Sequence, residues 1–154
     1  MTISQYAPYK EFERPRAQPA SNNASFTAVT GVSRTLLAKE SGLTVLIDAT
    51  FVATATYTIP TAVGNEGATF HFTCIGSLGE NFLIVGAVAA QLVGGFSSSE
   101  IQDAVAMGSS TTGDTITLVD AVADAGDYVH LRSNGTNWEV SGHAALQAAI
   151  LMTT

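Results

Sequence analysis

From Phe26 onward the chain is written in short runs in which apolar and polar positions alternate, interrupted by Gly, Asn or Pro. Alternation with a period of two places successive side chains on opposite faces of an extended backbone, so each run predicts a half-buried strand. Leu43, Val45 and Ile47 alternate with Thr44, Leu46 and Asp48. Ala53, Ala55, Tyr57 and Ile59 then alternate with Thr54, Thr56 and Thr58 until Pro60, which cannot donate to a ladder, ends the run. Phe70, Phe72 and Cys74 form one face of a third run, opposite Thr69, His71 and Thr73, and residues 82–85 and 87–93 supply two more. Residues 94–112 are rich in Gly, Ser and Thr and predict a long surface loop. Strand character returns over 114–119 and 128–132, where Asn134-Gly135 predicts a two-residue hairpin turn leading back through Trp138 and Val140.

Helical signals are weak. Residues 34–39 suit a single turn, and the apolar stretch 144–152 suits either a helix or an interface strand. Roughly eight to ten short strands with frequent turn signals point to an all-β fold, a β-sandwich or jelly-roll-like domain over residues 26–154. Residues 1–25 are different: they hold Pro8, Pro15 and Pro19, half of the basic side chains, and no alternation. Proline removes backbone donors and disfavours helix and central strand alike, so this segment is expected to be an extended N-terminal arm laid along another surface. Tyr6, Tyr9, Phe12, Arg14 and Arg16 are its candidate partner contacts, joined by Trp138, Leu146 and Ile150 in the body.

Composition adds that the body is poor in charge. Only 12% of residues are Asp, Glu, Lys or Arg while 46% are hydrophobic, about half the usual charged share of ~25%. A chain with so few charges to decorate a free surface is expected to cover part of it with copies of itself or a larger assembly. The net charge of −7 repels phosphate, and the arm's three basic residues against two acidic ones leave the rest at −8, so neither nucleic acid nor a membrane surface is an expected partner. The opening residues lack a basic stretch followed by an apolar one, and no apolar run approaches ~18 residues, so the expectation is cytoplasmic synthesis without a leader or a membrane span.

Candidate chemistry is thin. His71, His130 and His143 share no short chelating spacing. Asp114, Asp120, Asp124 and Asp127 lack the dense ligand spacing of a calcium loop and suit turns better. No Gly-x-Ser-x-Gly elbow and no phosphate loop occur, and the single cysteine, Cys74, falls in an apolar run where a buried thiol is expected. No catalytic residue, cofactor or metal is therefore assigned.

A wider pattern emerges when the blocks are read together: Arg34-Thr35-Leu36-Leu37-Ala38-Lys39-Glu40-Ser41-Gly42 running into 43–48, Tyr57-Thr58-Ile59-Pro60, Thr69-Phe70-His71-Phe72, Gly113-Asp114-Thr115-Ile116, Gly126-Asp127-Tyr128-Val129, and Ser133-Asn134-Gly135-Thr136-Asn137-Trp138-Glu139-Val140-Ser141-Gly142-His143-Ala144. Over about residues 34–146 this resembles small structural proteins of tailed bacteriophages, with the GTNW hairpin followed by SGHA as its most specific element. The resemblance implies a virion component of the head decoration (cement) or fibre type, commonly trimeric, and no catalysis. A short chain without coiled-coil heptads or shaft repeats favours decoration of the capsid surface, with the major capsid protein and sister subunits as partners. The alternative it leaves is a tail-fibre or receptor-binding module, in which polar loops such as 94–112 would face the host.

Overall fold

A computed structural model of the chain describes residues 26–28, 32–48, 52–100 and 111–154. Twelve strands build it: β1 (Phe26–Ala28), β2 (Arg34–Thr35), β3 (Leu43–Ile47), β4 (Ala55–Ile59), β5 (Thr69–Cys74), β6 (Phe82–Gly86), β7 (Leu92–Ser98), β8 (Thr111–Gly113), β9 (Thr115–Leu118), β10 (Tyr128–Ser133), β11 (Trp138–Ala144) and β12 (Ile150–Thr153). They form a seven-stranded sheet in the order β1-β3-β5-β10-β11-β7-β8 and a five-stranded sheet in the order β12-β9-β6-β4-β2. The only helical turn among the described residues is a 3-10 turn, Ala38–Glu40, which overlaps the end of the stretch 34–39 predicted to turn once, whose start is β2. The all-β, two-sheet reading of the alternation is what the structure has.

Topology follows a rule that local patterning cannot announce. From β1 to β6 each strand crosses to the opposite sheet, so odd strands lie parallel in one sheet and even strands parallel in the other. A parallel pair needs a long crossover, usually a helix; here the crossover is itself a strand of the facing sheet. The chain then reverses: β9 pairs antiparallel with β6, and β10 antiparallel with β5. The β10–β11 hairpin follows, and β7 adds to β11 in parallel. This mixture departs from the wholly antiparallel order of a jelly roll.

Each long strand turns its predicted apolar set inward, except that Ala53, expected to open the second run, lies exposed before β4. Leu43, Val45, Ile47, Phe70, Phe72, Cys74, Val129, Leu131, Trp138 and Val140 from the larger sheet meet Ala55, Tyr57, Ile59, Phe82, Ile84, Ile116, Leu118 and Ile150 from the smaller, all buried. Tyr57 lies between Phe72 and Phe82, at ring-centroid distances of 6.2 and 5.0 Å, tying the two sheets through tilted and edge-on contacts. Phe70 meets Trp138 at 5.4 Å, and the Trp138 indole donates from Nε1 to the Pro60 carbonyl of the facing layer at 2.8 Å.

Several local expectations change. Residues 87–93 were expected to be a strand and 94–112 a loop, but the strand is β7, which runs through Gly94 and Gly95. Gly94 serves close approach: a Cβ there would strike the backbone of Val140 in the neighbouring parallel strand. Residues 101–110 of that expected loop lie outside the described residues. The hairpin at Asn134 is real, but four residues connect its strands. Asn134 Oδ1 accepts from the N–H groups of Thr136 (3.0 Å) and Asn137 (2.8 Å), and Gly135 adopts φ +88°, so an asparagine-capped turn replaces the two-residue one. The ambiguous C-terminal stretch ends in β12, a strand on the edge of the smaller sheet.

Candidate functional site

The candidate contact residues separate by depth. Trp138 is fully buried and Ile150 nearly so: strand alternation points both into the core, and neither side chain offers surface in this fold. Leu146 is 45% exposed in the turn before β12 and stays available. Tyr6, Tyr9, Phe12, Arg14 and Arg16 lie outside the described residues.

With the inner faces occupied by core, the outer faces of the sheets are the surfaces on which chemistry can be displayed. On the five-stranded sheet, Thr35, Thr58, Val85, Thr115 and Thr153 form one unbroken row across β2, β4, β6, β9 and β12. Thr56, Leu83, Thr117 and Leu151 form the row beside it. None of these side chains ionises. Arg34 at the margin is engaged by Glu40 and borders a shallow hollow of about 160 Å³ with Ser33, Thr35, Thr56 and Thr58. A second hollow of about 250 Å³, near the hairpin, is lined by Glu66, Arg132, Ser133, Asn134 and Glu139. Both are smaller than the ~300–1,000 Å³ usual for small-molecule sites.

The outer face of the seven-stranded sheet is aromatic and polar. Register places Thr44, His71, His130 and Ser141 in one row, and Leu46, Thr73, Tyr128, His143 and Ser97 in the next. His71 and His130, distant in sequence, are direct neighbours, their rings edge to face with centroids 4.2 Å apart. Partial burial and the adjacent His130 lower the pKa of His71. The His143 ring is held from both sides: Nδ1 is 2.9 Å from Ser97 Oγ and Nε2 is 2.9 Å from Ser99 Oγ.

A Ser99–His143 pair has the distance of an activated nucleophile, but the group behind the imidazole is a second hydroxyl where a carboxylate would stabilise the charged ring. The Ser99 N–H is committed to the Ala144 carbonyl, so it is not free to stabilise an oxyanion. The aspartates act on turns. Asp114 accepts from the Ala90 N–H and Asp124 from Ala125, while buried Asp127 accepts from Asp124 at 3.0 Å and Ala145 at 2.8 Å. Asp124 also accepts from Ser77 Oγ at 2.6 Å, which with the Ala125 N–H lowers its pKa. Cys74 is buried, and desolvation followed by the Asp127 and Asp124 charges pushes its thiol up to about 12. Among the described residues no three His, Cys, Asp or Glu side chains gather to hold a metal ion, and no helix is long and apolar enough to cross a membrane.

Sequence reasoning identified the strands that carry these faces but not their membership. Which threonines share a row and which histidines touch is set by pairing between distant strands, for which periodicity holds no signal. Comparison with known protein families, curated proteins and solved structures finds no match to this chain.

Proposed function

We propose that the protein is a virion structural protein of the capsid decoration (cement) type, which assembles as a homotrimer on the outside of a phage head and reinforces it without catalysis. The observation that carries this reading is the outer face of the five-stranded sheet: broad, continuous across every strand, and with no ionisable group in either row, Arg34 at its margin being engaged by Glu40. A threonine and aliphatic face loses little hydration when covered, because no charge has to be stripped of water, and β-branched side chains lose little rotamer freedom. Such a face is suited to lying on another protein. The resemblance of residues 34–146 to phage structural proteins supplies the identity of that protein as the major capsid protein, and the trimer with it. The arm, residues 1–25, is assigned to neighbouring subunits, where it adds contact by avidity.

Purified protein mixed with undecorated heads tests this by co-sedimentation. Thr58→Lys and Leu83→Glu place a charge in the middle of the face while their backbones stay in paired strands, and each is expected to abolish retention with little change in melting temperature. Retention equal to the parent's would sink the assignment of this face. Retention by no heads at all, with binding instead to host cells or their surface glycans, would favour the receptor-binding module.

A further inference from the structure

The opposite, histidine-bearing face carries a second property, independent of any capsid role. We propose that His71 and His130 form a binding site for a single borderline divalent transition metal, of the Cu²⁺, Ni²⁺ or Zn²⁺ class, held by one nitrogen from each imidazole and open to solvent on its remaining positions.

Three features of the ladder build the site. The first is spacing. Ser133 donates its N–H to the Ala68 carbonyl and Cys74 donates to the Asp127 carbonyl, each at 2.8 Å. Hydrogen-bonded pairs along β5 and β10 therefore fall at the register of 68 with 133 and 74 with 127, and His71 opposite His130 is a non-hydrogen-bonded pair. That is the narrow pair of an antiparallel ladder, in which Cβ atoms come closest. The second is reach. With metal–nitrogen bonds of about 2.0–2.1 Å, two imidazoles on adjacent coordination positions hold their ring centroids roughly 4.5–5 Å apart. The observed 4.2 Å therefore needs only a modest side-chain rotation to open.

The third is availability. Both nitrogens of His143 are engaged by serine hydroxyls, whereas neither ring of the His71–His130 pair hydrogen-bonds to any described residue. His71 is exposed and His130 half-buried, so an ion has direct access from solvent.

The surroundings select the metal. Titratable and charged groups on this face are Tyr128 and Arg132 along β10 and Glu139 and His143 across on β11, while β5 contributes threonines beside His71. No carboxylate stands opposite either histidine, and Arg132 adds a positive charge along the strand. Hard cations that prefer carboxylate ligands find none directly opposite either histidine, whereas imidazole suits copper, nickel and zinc, with copper strongest in the usual order.

Titration of the full chain with Cu²⁺ at pH 7.5, followed by calorimetry and by electron paramagnetic resonance, tests the site. One ion per chain is expected, with hyperfine coupling to two nitrogens. His71→Ala and His130→Ala should each weaken binding by about tenfold or more, because loss of one ligand removes the chelate gain. His143→Ala should bind as the parent does, and Mg²⁺ and Ca²⁺ should not compete. Melting curves establish that the variants fold, since both side chains point away from the core. Parent-like binding by either single variant, loss of binding in His143→Ala, or a one-nitrogen spectrum would overturn the proposal. Failure here leaves the capsid assignment intact, since that rests on the other sheet.

Discussion

Replacing Trp138 with phenylalanine probes the joint between the two layers. The indole is fully buried in the seven-stranded sheet, packs in a tilted contact on Phe70 with centroids 5.4 Å apart, and donates at 2.8 Å to the carbonyl of Pro60, just after β4 of the other sheet. Phenylalanine keeps the ring contact but has no donor, so a half-buried carbonyl loses its partner at about 1–2 kcal/mol. The missing five-membered ring leaves roughly 40 Å³, worth about 1 kcal/mol at ~24 cal/mol per Å³ of residual cavity. The total of about 2–3 kcal/mol corresponds to roughly 6–9 °C in melting temperature for a chain of this size. Differential scanning calorimetry measures it, and far-ultraviolet circular dichroism checks that the sheets persist. A fall of less than ~2 °C would refute the view that this hydrogen bond links the layers. In the parent, the single tryptophan should emit at short wavelength and resist iodide quenching.

Gly94→Ala should be among the most damaging single substitutions, because its Cβ would collide with Val140 backbone that cannot move without breaking the β7–β11 ladder. A loss of at least ~3 kcal/mol in urea unfolding, or insoluble expression, is expected, and a parent-like midpoint would show that the strands can part freely. Cys74 should resist a thiol-specific disulfide reagent at pH 8 in the native protein and react within minutes in denaturant, since its thiol ionises only near about 12 and is buried; rapid native labelling would contradict the core placement. His71 resists protonation in the folded chain through burial first and His130 second. As pH falls through the unfolded value of 6.5, the unfolded state gains a proton that the native state accepts only at lower pH, so stability declines there and is unaffected well above it. His71→Gln should flatten that decline in urea midpoints measured from pH 8 to pH 5; an unchanged slope would assign the effect to other groups.

The strands and their inward faces were legible in the sequence because both are local properties. Leu43, Val45 and Ile47, or Phe70, Phe72 and Cys74, bury themselves as a period of two requires, and every one of them is in the core. The hairpin at Asn134 was legible for the same reason, since side-chain capping and a positive φ at Gly135 are decided within a few residues. Gly94 misled because glycine signals a loop and a close approach between strands alike; only the presence of Val140 alongside distinguishes the two. Likewise, a tryptophan after a hairpin suits core or interface equally, until the facing sheet supplies the Pro60 carbonyl.

What tertiary structure alone decided is which strands are neighbours. Alternation fixes the face a residue occupies but carries no record of the strand beside it, so it gave no hint that successive strands alternate between sheets and run parallel within each. That pairing gathers scattered threonines into one uncharged face and brings His71 against His130, both invisible to spacing along the chain. The charge-poor composition says that few side chains ionise; the order of the strands determined which outer face is left without them.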